Sequence, residues 1–314
     1  MRHFSTLQRL GSSSLLLVTT LAAVAVHAGD RLDPIVVTAT RAPQTVDEIL
    51  SSVTVIEREE IERLQPRQFT DLLRGHAGIG VADNGPFGKA SSVFMRGSNA
   101  GHTLLLVDGV RMGSATLGLA SWQFLPPSEI ERIEIVRGPR TSIYGSDAIG
   151  GVIQVFTRHG LEGPPRVNAF VGGGSFNTRE LGAGVAGGTR DTRYSLSASR
   201  FDTDGIDVLT GVGDDDRDGY DNTSLSGRLS HRLDHGVELF ASLLYSEGTT
   251  EFDGFLDQTD FRQAAVRTGM RVPVTTEWDA ELSIAQSRDE SENLIEGEFF
   301  SNFDTRRDMA DWRR

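Results

Sequence analysis

From about residue 166 onward, apolar and polar residues alternate with a period of two, which limits the second half of the chain to strands of an antiparallel sheet. Val237, Leu239, Ala241, Leu243 and Tyr245 alternate with Glu238, Phe240, Ser242, Leu244 and Ser246; Tyr194, Leu196 and Ala198 alternate with Ser195, Ser197 and Ser199. Leu225, Leu229 and Leu233 likewise oppose Ser226, Arg228, Ser230 and Arg232. Several runs approach or exceed the ~9–11 residues of a tilted membrane-spanning strand, whereas the soluble alternative, a β-sandwich, uses strands of about five or six. The connections alternate too: 189–191, 234–236 and 273–276 read as short, 203–219, 248–260 and 289–304 as long. Short turns at one end and long loops at the other is the layout of an outer-membrane barrel.

The start of the chain agrees with export. Arg2, His3 and Arg9 precede an apolar run from Leu15 to Val26 and the small-residue site Val26-His27-Ala28, so residues 1–28 read as a secretory signal. That run is too short to cross ~30 Å of hydrocarbon as a helix, and no later stretch reaches ~18 apolar residues, so any membrane passage must be made by strands. An exported chain with no cysteine has neither a disulfide framework nor a thiol ligand or nucleophile. The net charge of -13 argues against nucleic acid as a partner.

Residues 46–158 form a mixed α/β block. Glu57 to Leu64 reads as a helix, and Phe69 to Arg74 as another stopped by Gly75. Strands follow at 93–96, 103–107, 133–136 and 152–157, with turns at Asp108-Gly109 and Gly138-Pro139. Composition shifts over 157–165, and about eight strands are expected over 166–314. A closed eight-stranded barrel is filled by its own side chains and cannot hold such a block, whereas plugged transporters use about 22 strands. The expectation is therefore an α/β plug domain followed by the first ~8 antiparallel strands of a 22-stranded transmembrane β-barrel, truncated.

Between signal and block lies the β-prone segment Asp33, Pro34, Ile35, Val36, Val37, Thr38 and Ala39 within a linker over 29–45. Such a segment can add as a strand to a partner's exposed edge, and the first strand of any exported domain has the same composition. The block itself contains Phe94-Met95-Arg96-Gly97, Leu106-Val107-Asp108-Gly109-Val110-Arg111, Arg137-Gly138-Pro139-Arg140 and Tyr144-Gly145-Ser146-Asp147-Ala148-Ile149-Gly150-Gly151. Together these segments resemble the TonB-dependent outer-membrane receptors, most closely those that carry cobalamin (vitamin B12). The resemblance implies that 33–39 is a TonB box, that 46–158 is the plug, and that TonB, energised by ExbB and ExbD, is the partner. It also implies contact with outer-membrane lipid and opportunistic use by phage or colicins. Arg96, Arg137 and Arg140 are expected to meet barrel-wall carboxylates as structural contacts.

Ligand contact is expected from the small and polar plug loops 84–92, 98–100 and 112–122. By the resemblance, Lys89, Ala90, Asn99, Leu117 and Gly118 line the substrate site; a solvated loop tip is the plain alternative for each. An acidic stretch holds Asp202, Asp204, Asp207, Asp214, Asp215, Asp216, Asp218 and Asp221. Its Asp-x-Asp-x-Asp-Gly opening meets an EF-hand pattern, but Leu225 stands where the bidentate Glu is required. Crowded carboxylates favour a hard cation, and the resemblance implies structural calcium at Asp207, Asp216, Asp218, Asp253 and Asp257, with Asp260 an alternative to Asp257; a solvated loop is the other reading.

No zinc-protease, serine-elbow or phosphate-loop motif is present, so no enzyme activity is expected. The expected function is TonB-dependent transport of cobalamin or a related corrinoid. A siderophore or haem receptor is the nearest alternative, and a non-transporting barrel or adhesin a second.

Overall fold

The structure is a computed structural model that describes residues 35–36, 44–45, 51–209, 216–253, 256–275 and 278–313. The signal and all of 33–39 except Ile35 and Val36 lie outside the described residues. The first two strands, β1 (Ile35–Val36) and β2 (Gln44–Thr45), pair antiparallel with Ile35 opposite Thr45 and Val36 opposite Gln44.

The α/β block follows as β3 (Ser52–Glu57), α1 (Arg58–Leu64), β4 (Ile79–Asp83), β5 (Ser91–Met95), β6 (Thr103–Val107), β7 (Val110–Met112), β8 (Ile130–Arg137), α2 (Thr141–Tyr144) and β9 (Gly151–Thr157). Glu59 and Glu60 in the first turn of α1 and Arg63 in its last turn oppose the helix dipole, and Ile61 supplies its buried face. Gln65 ends the helix in the left-handed region, φ 47°, and Pro66 cannot continue it. The expected helix at 69–74 is a 3-10 turn over Phe69–Leu72. Strands β3 and β4 were not expected from sequence. The main sheet runs β3-β8-β9-β6-β7, with β6 parallel to β9 and its other pairs antiparallel. Its core is Ile56, Ile61, Phe69, Leu105, Ile133, Ile135, Ile153 and Val155, with Trp122 stacked on Phe69 at 5.9 Å.

The wall is an antiparallel meander of eight strands in sequence order: β10 (Gly163–Gly173), β11 (Arg179–Gly188), β12 (Thr192–Ile206), β13 (Asp218–Arg232), β14 (Glu238–Glu251), β15 (Gln258–Pro273), β16 (Asp279–Ile295) and β17 (Glu298–Arg313). Register carries one side of the pleat across neighbouring strands, as in Ala198–Leu225–Tyr245–Ala264. The outward side is apolar over a band that includes Val171 (87 % exposed), Leu196, Leu229, Leu239, Val266, Ile284 (62 %) and Trp312. The inward side buries Ser195, Ser197, Ser199, Ser224, Ser226, Ser242, Ser246, Ser283 and Ser287. No helix among the described residues is long and apolar enough to cross a membrane.

Toward the long-loop end the outward side changes from apolar to charged, and cross-strand ion pairs follow: Arg200–Asp221 at 3.5 Å, Arg262–Glu290 at 3.2 Å and Arg288–Asp304 at 3.1 Å. The strands therefore run on beyond the lipid band. This corrects the expected long loop over 289–304: β16 and β17 continue through it and are joined by Glu296 and Gly297, φ 52° and 75°, a two-residue turn with the twist a hairpin needs.

Candidate functional site: plug loops under the outer wall loops

The short connections of the wall lie at 189–191, 233–237 and 274–278, and the longer ones at 207–217 and 252–257. The plug loops 84–90 and 112–122 reach the wall at the long-loop end, where Ala115 donates its N–H to Thr305 Oγ1 (2.9 Å) and the Ser121 hydroxyl to Asp289 Oδ2 (3.1 Å).

Of the expected substrate residues, Ala90, Asn99, Leu117 and Gly118 are exposed. Gly118 and Leu117 sit in a closed loop in which Ser114 accepts the Gly118 N–H at its carbonyl (3.0 Å) and the Leu117 N–H at Oγ (3.2 Å). This loop lies against the Asn99 segment, since a Cβ on Gly101 would stand 2.7 Å from the Gly118 carbonyl oxygen. The structure thus brings Asn99, Leu117 and Gly118 to one neighbourhood. Ala90 closes a separate loop by accepting the Asn84 N–H (3.1 Å).

Lys89 is elsewhere. It is 2 % exposed, and its Nζ donates to the Thr250 hydroxyl (3.2 Å) and to the carbonyls of Asp218 (3.4 Å) and Gly219 (3.5 Å). Burial pushes the ammonium down to about 8, against the opposing pull of Asp218, Glu251 and Asp253. An aromatic chain docks the same loop, with Phe87 against Phe201 (4.8 Å), Phe201 against Tyr220, Tyr220 against Phe261, and Phe261 stacked on the plug's Phe124 at 3.7 Å.

The expected metal residues fall into three places. Asp218 and Asp253 meet at the Val208 N–H, 2.8 and 3.1 Å away. Asp207 and Asp216 line an open cleft of about 770 Å³ with Asp204, Glu251 and Arg217. Asp257 accepts the Glu296 N–H at Oδ2, while its buried Oδ1 has no hydrogen-bond partner. Asp260 accepts from Thr249 and Gln258, both at 2.8 Å, on the outward side of the wall. The donor chemistry of the cleft suits a hard cation, but among the described residues no group of three or more carboxylates or histidines converges as a cage.

Two buried carboxylates in the plug were not singled out by sequence. Glu129, 2 % exposed, accepts from the hydroxyls of Ser197, Ser199 (2.8 Å) and Ser226 (2.7 Å) on β12 and β13. Asp108, in the tight β6–β7 turn, accepts from the Thr157 hydroxyl and pairs with Arg228 of the wall at 3.2 Å. The wall's Arg267 donates to the Asp108 carbonyl (3.2 Å), and Arg307 donates to that of Gly113. The expected polarity is therefore reversed. Arg137 donates to Ala77 O and Thr54 Oγ1 (2.7 and 2.8 Å) and Arg140 to Pro139 O (3.1 Å), all within the plug, and the wall contributes the guanidinium groups.

An α/β domain seated on the serine-lined side of a sheet whose other side is an apolar band defines a plugged outer-membrane receptor. The chain belongs to the TonB-dependent receptors: residues 45–152 match the family described as TonB-dependent Receptor Plug Domain. It is similar to the vitamin B12 transporter BtuB of Photobacterium profundum, 31% identical over 90% of this chain and 47% of the relative. It is likewise similar to BtuB of Vibrio vulnificus, 35% identical over 82% of this chain and 43% of the relative. The chain thus spans about half the length of these curated relatives. Among solved structures, the siderophore receptor PirA of Acinetobacter baumannii shares the fold with a TM-score of 0.66 at 19% identity, over 83% of this chain and 44% of that one. The FpvAI–pyocin S2 complex does so at 0.68 and 16%, over 83% and 38%. The protein is an outer-membrane protein.

Proposed function

We propose that this chain forms the plug and adjoining wall of a receptor that takes up cobalamin or a related corrinoid by TonB-dependent active transport. The observation that carries this reading is the 31% and 35% identity, over 90% and 82% of the chain, to two vitamin B12 transporters. Ligand enters from the long-loop end and rests on the exposed Asn99, Leu117 and Gly118, with Ala90 offering a further contact from the separate loop 84–90; the missing side chain at Gly118 lets a broad, flat ligand approach backbone. TonB, driven by ExbB and ExbD, adds as a strand to 33–39, and the pull displaces the plug. No covalent step is required. Calcium belongs to the proposal at the cleft of Asp207 and Asp216. Bacteriocins or phage are opportunistic ligands of the same mouth; one solved relative in fold is a complex with pyocin S2.

The test is equilibrium binding of cyanocobalamin to the purified full-length receptor in competition with a ferric siderophore. Saturable binding that the siderophore does not displace is expected; binding of the ferric chelate alone transfers the chain to the siderophore class. Deleting 33–39 is expected to abolish uptake and leave binding intact, whereas a non-transporting barrel or adhesin loses nothing. Binding unchanged by calcium chelation would remove calcium from the proposal.

A further inference from the structure

A lysine is almost never fully buried unless its charge is compensated. Lys89 is buried in a plug loop, yet everything that compensates it belongs to the wall. Three acceptors meet the three hydrogens of its ammonium: Thr250 Oγ1 at 3.2 Å, Asp218 O at 3.4 Å and Gly219 O at 3.5 Å. The Phe252 ring lies 5.1 Å away on a further side. This seat is built from the outer ends of the paired strands β13 and β14, where Tyr220 lies opposite Thr250.

Three carboxylates, Asp218, Glu251 and Asp253, act on it electrostatically without direct ion pairing, and each holds a loop backbone. Asp218 and Asp253 accept the Val208 N–H, Asp253 also accepts the Leu209 N–H (2.7 Å), and Glu251 accepts the Gly219 N–H (2.8 Å). The neighbouring Arg217 is turned to Asp204 at 3.2 Å. Neighbouring carboxylates of like charge repel unless a cation lies near them. Glycine at 88 is what admits the loop, since a Cβ there would lie 2.2 Å from the Tyr220 ring.

We propose that Lys89 is the cation that holds the acidic outer loops shut. Because the plug carries it, a shift of loop 84–90 withdraws the charge and opens the loops over 203–209 and 250–253 in the same event. Plug movement and mouth opening are then one transition.

Hydrogen exchange followed by mass spectrometry on the full-length receptor in micelles tests this. Lys89→Ala is expected to speed exchange over 203–209 by about tenfold or more, the effect of removing a charge-assisted hydrogen bond, while β8 and β9 stay protected. Added n-butylammonium should restore protection by refilling the seat; n-butanol at equal concentration should not. Thr250→Val keeps the charge and removes one acceptor, so a smaller rise in the same segment is expected, and it serves if Lys89→Ala does not fold. Wild-type exchange in both variants, equal rescue by butanol, or a uniform rise through β8 and β9 would each overturn the proposal.

Discussion

At the scale of single residues, the plug is held by groups whose partners lie far along the chain. Glu129 is a buried charge whose bonds to the wall are all from hydroxyls, those of Ser197, Ser199 and Ser226. A carboxylate held this way keeps its bonds short and charge-assisted, but water can replace each hydroxyl in turn. Glu129→Gln should lower plug stability by roughly 1.5–3 kcal/mol, the range for a hydrogen bond to a charged group, read as a shift in the urea midpoint of plug exchange. A midpoint at the wild-type value would mean that the hydroxyls do not bear on plug seating. The serines were legible as the polar side of an alternating pattern. Glu129 was not, because its partners lie 68 to 97 residues further on and nothing local marks it. Lys89 was legible as part of a special loop; its burial against Asp218 and Thr250 depends on strands more than 120 residues away.

At the scale of elements, the period-two pattern led to about eight wall strands, the number in the sheet, because lipid on one side and the plug on the other demand opposite chemistry at successive residues. It failed where that demand ends. Beyond the lipid band both sides of a strand face polar surroundings, so 289–304 has the composition of a loop and the geometry of a hairpin. The exposed ladder of ion pairs there adds little individually, and Arg288→Ala should change stability by less than about 1 kcal/mol. Ile284→Arg, on the same strand but inside the apolar band, should cost about 2–4 kcal/mol if it sits near the bilayer midplane. Urea titrations of the receptor refolded into lipid vesicles compare the two directly; equal costs would contradict the boundary drawn between band and belt. Gly297→Ala tests the hairpin itself: with φ at 75° it should cost about 1–2 kcal/mol, and no loss would return the segment to a loop.

At the scale of the whole molecule, the plug has its own apolar core, to which the wall adds Leu244 and Ala265. Beside the aromatic chain through Phe87, Phe124 and Phe261, the two bodies are joined by polar contacts: hydroxyls on Glu129, the Lys89 seat at the long-loop end, and Arg228 and Arg267 gripping the Asp108 turn toward the short-turn end. Such an interface suits a body that must move, since hydrogen bonds broken on sliding are remade with water, whereas apolar area bared to water has no such replacement. It also separates two tasks along the barrel axis. The outer contacts border the ligand loops, and the grip on Asp108 lies well away from them. Replacing Arg228 and Arg267 together by alanine should therefore leave cyanocobalamin binding within about twofold while raising passive entry. Breaking a buried pair on one side costs up to ~3–5 kcal/mol, here reduced because Arg228 is about a third exposed. Single-channel conductance in planar bilayers and sensitivity of cells to a large antibiotic measure the leak. A tight channel in the double variant would place the seal elsewhere, and loss of binding would show that the two ends are not independent.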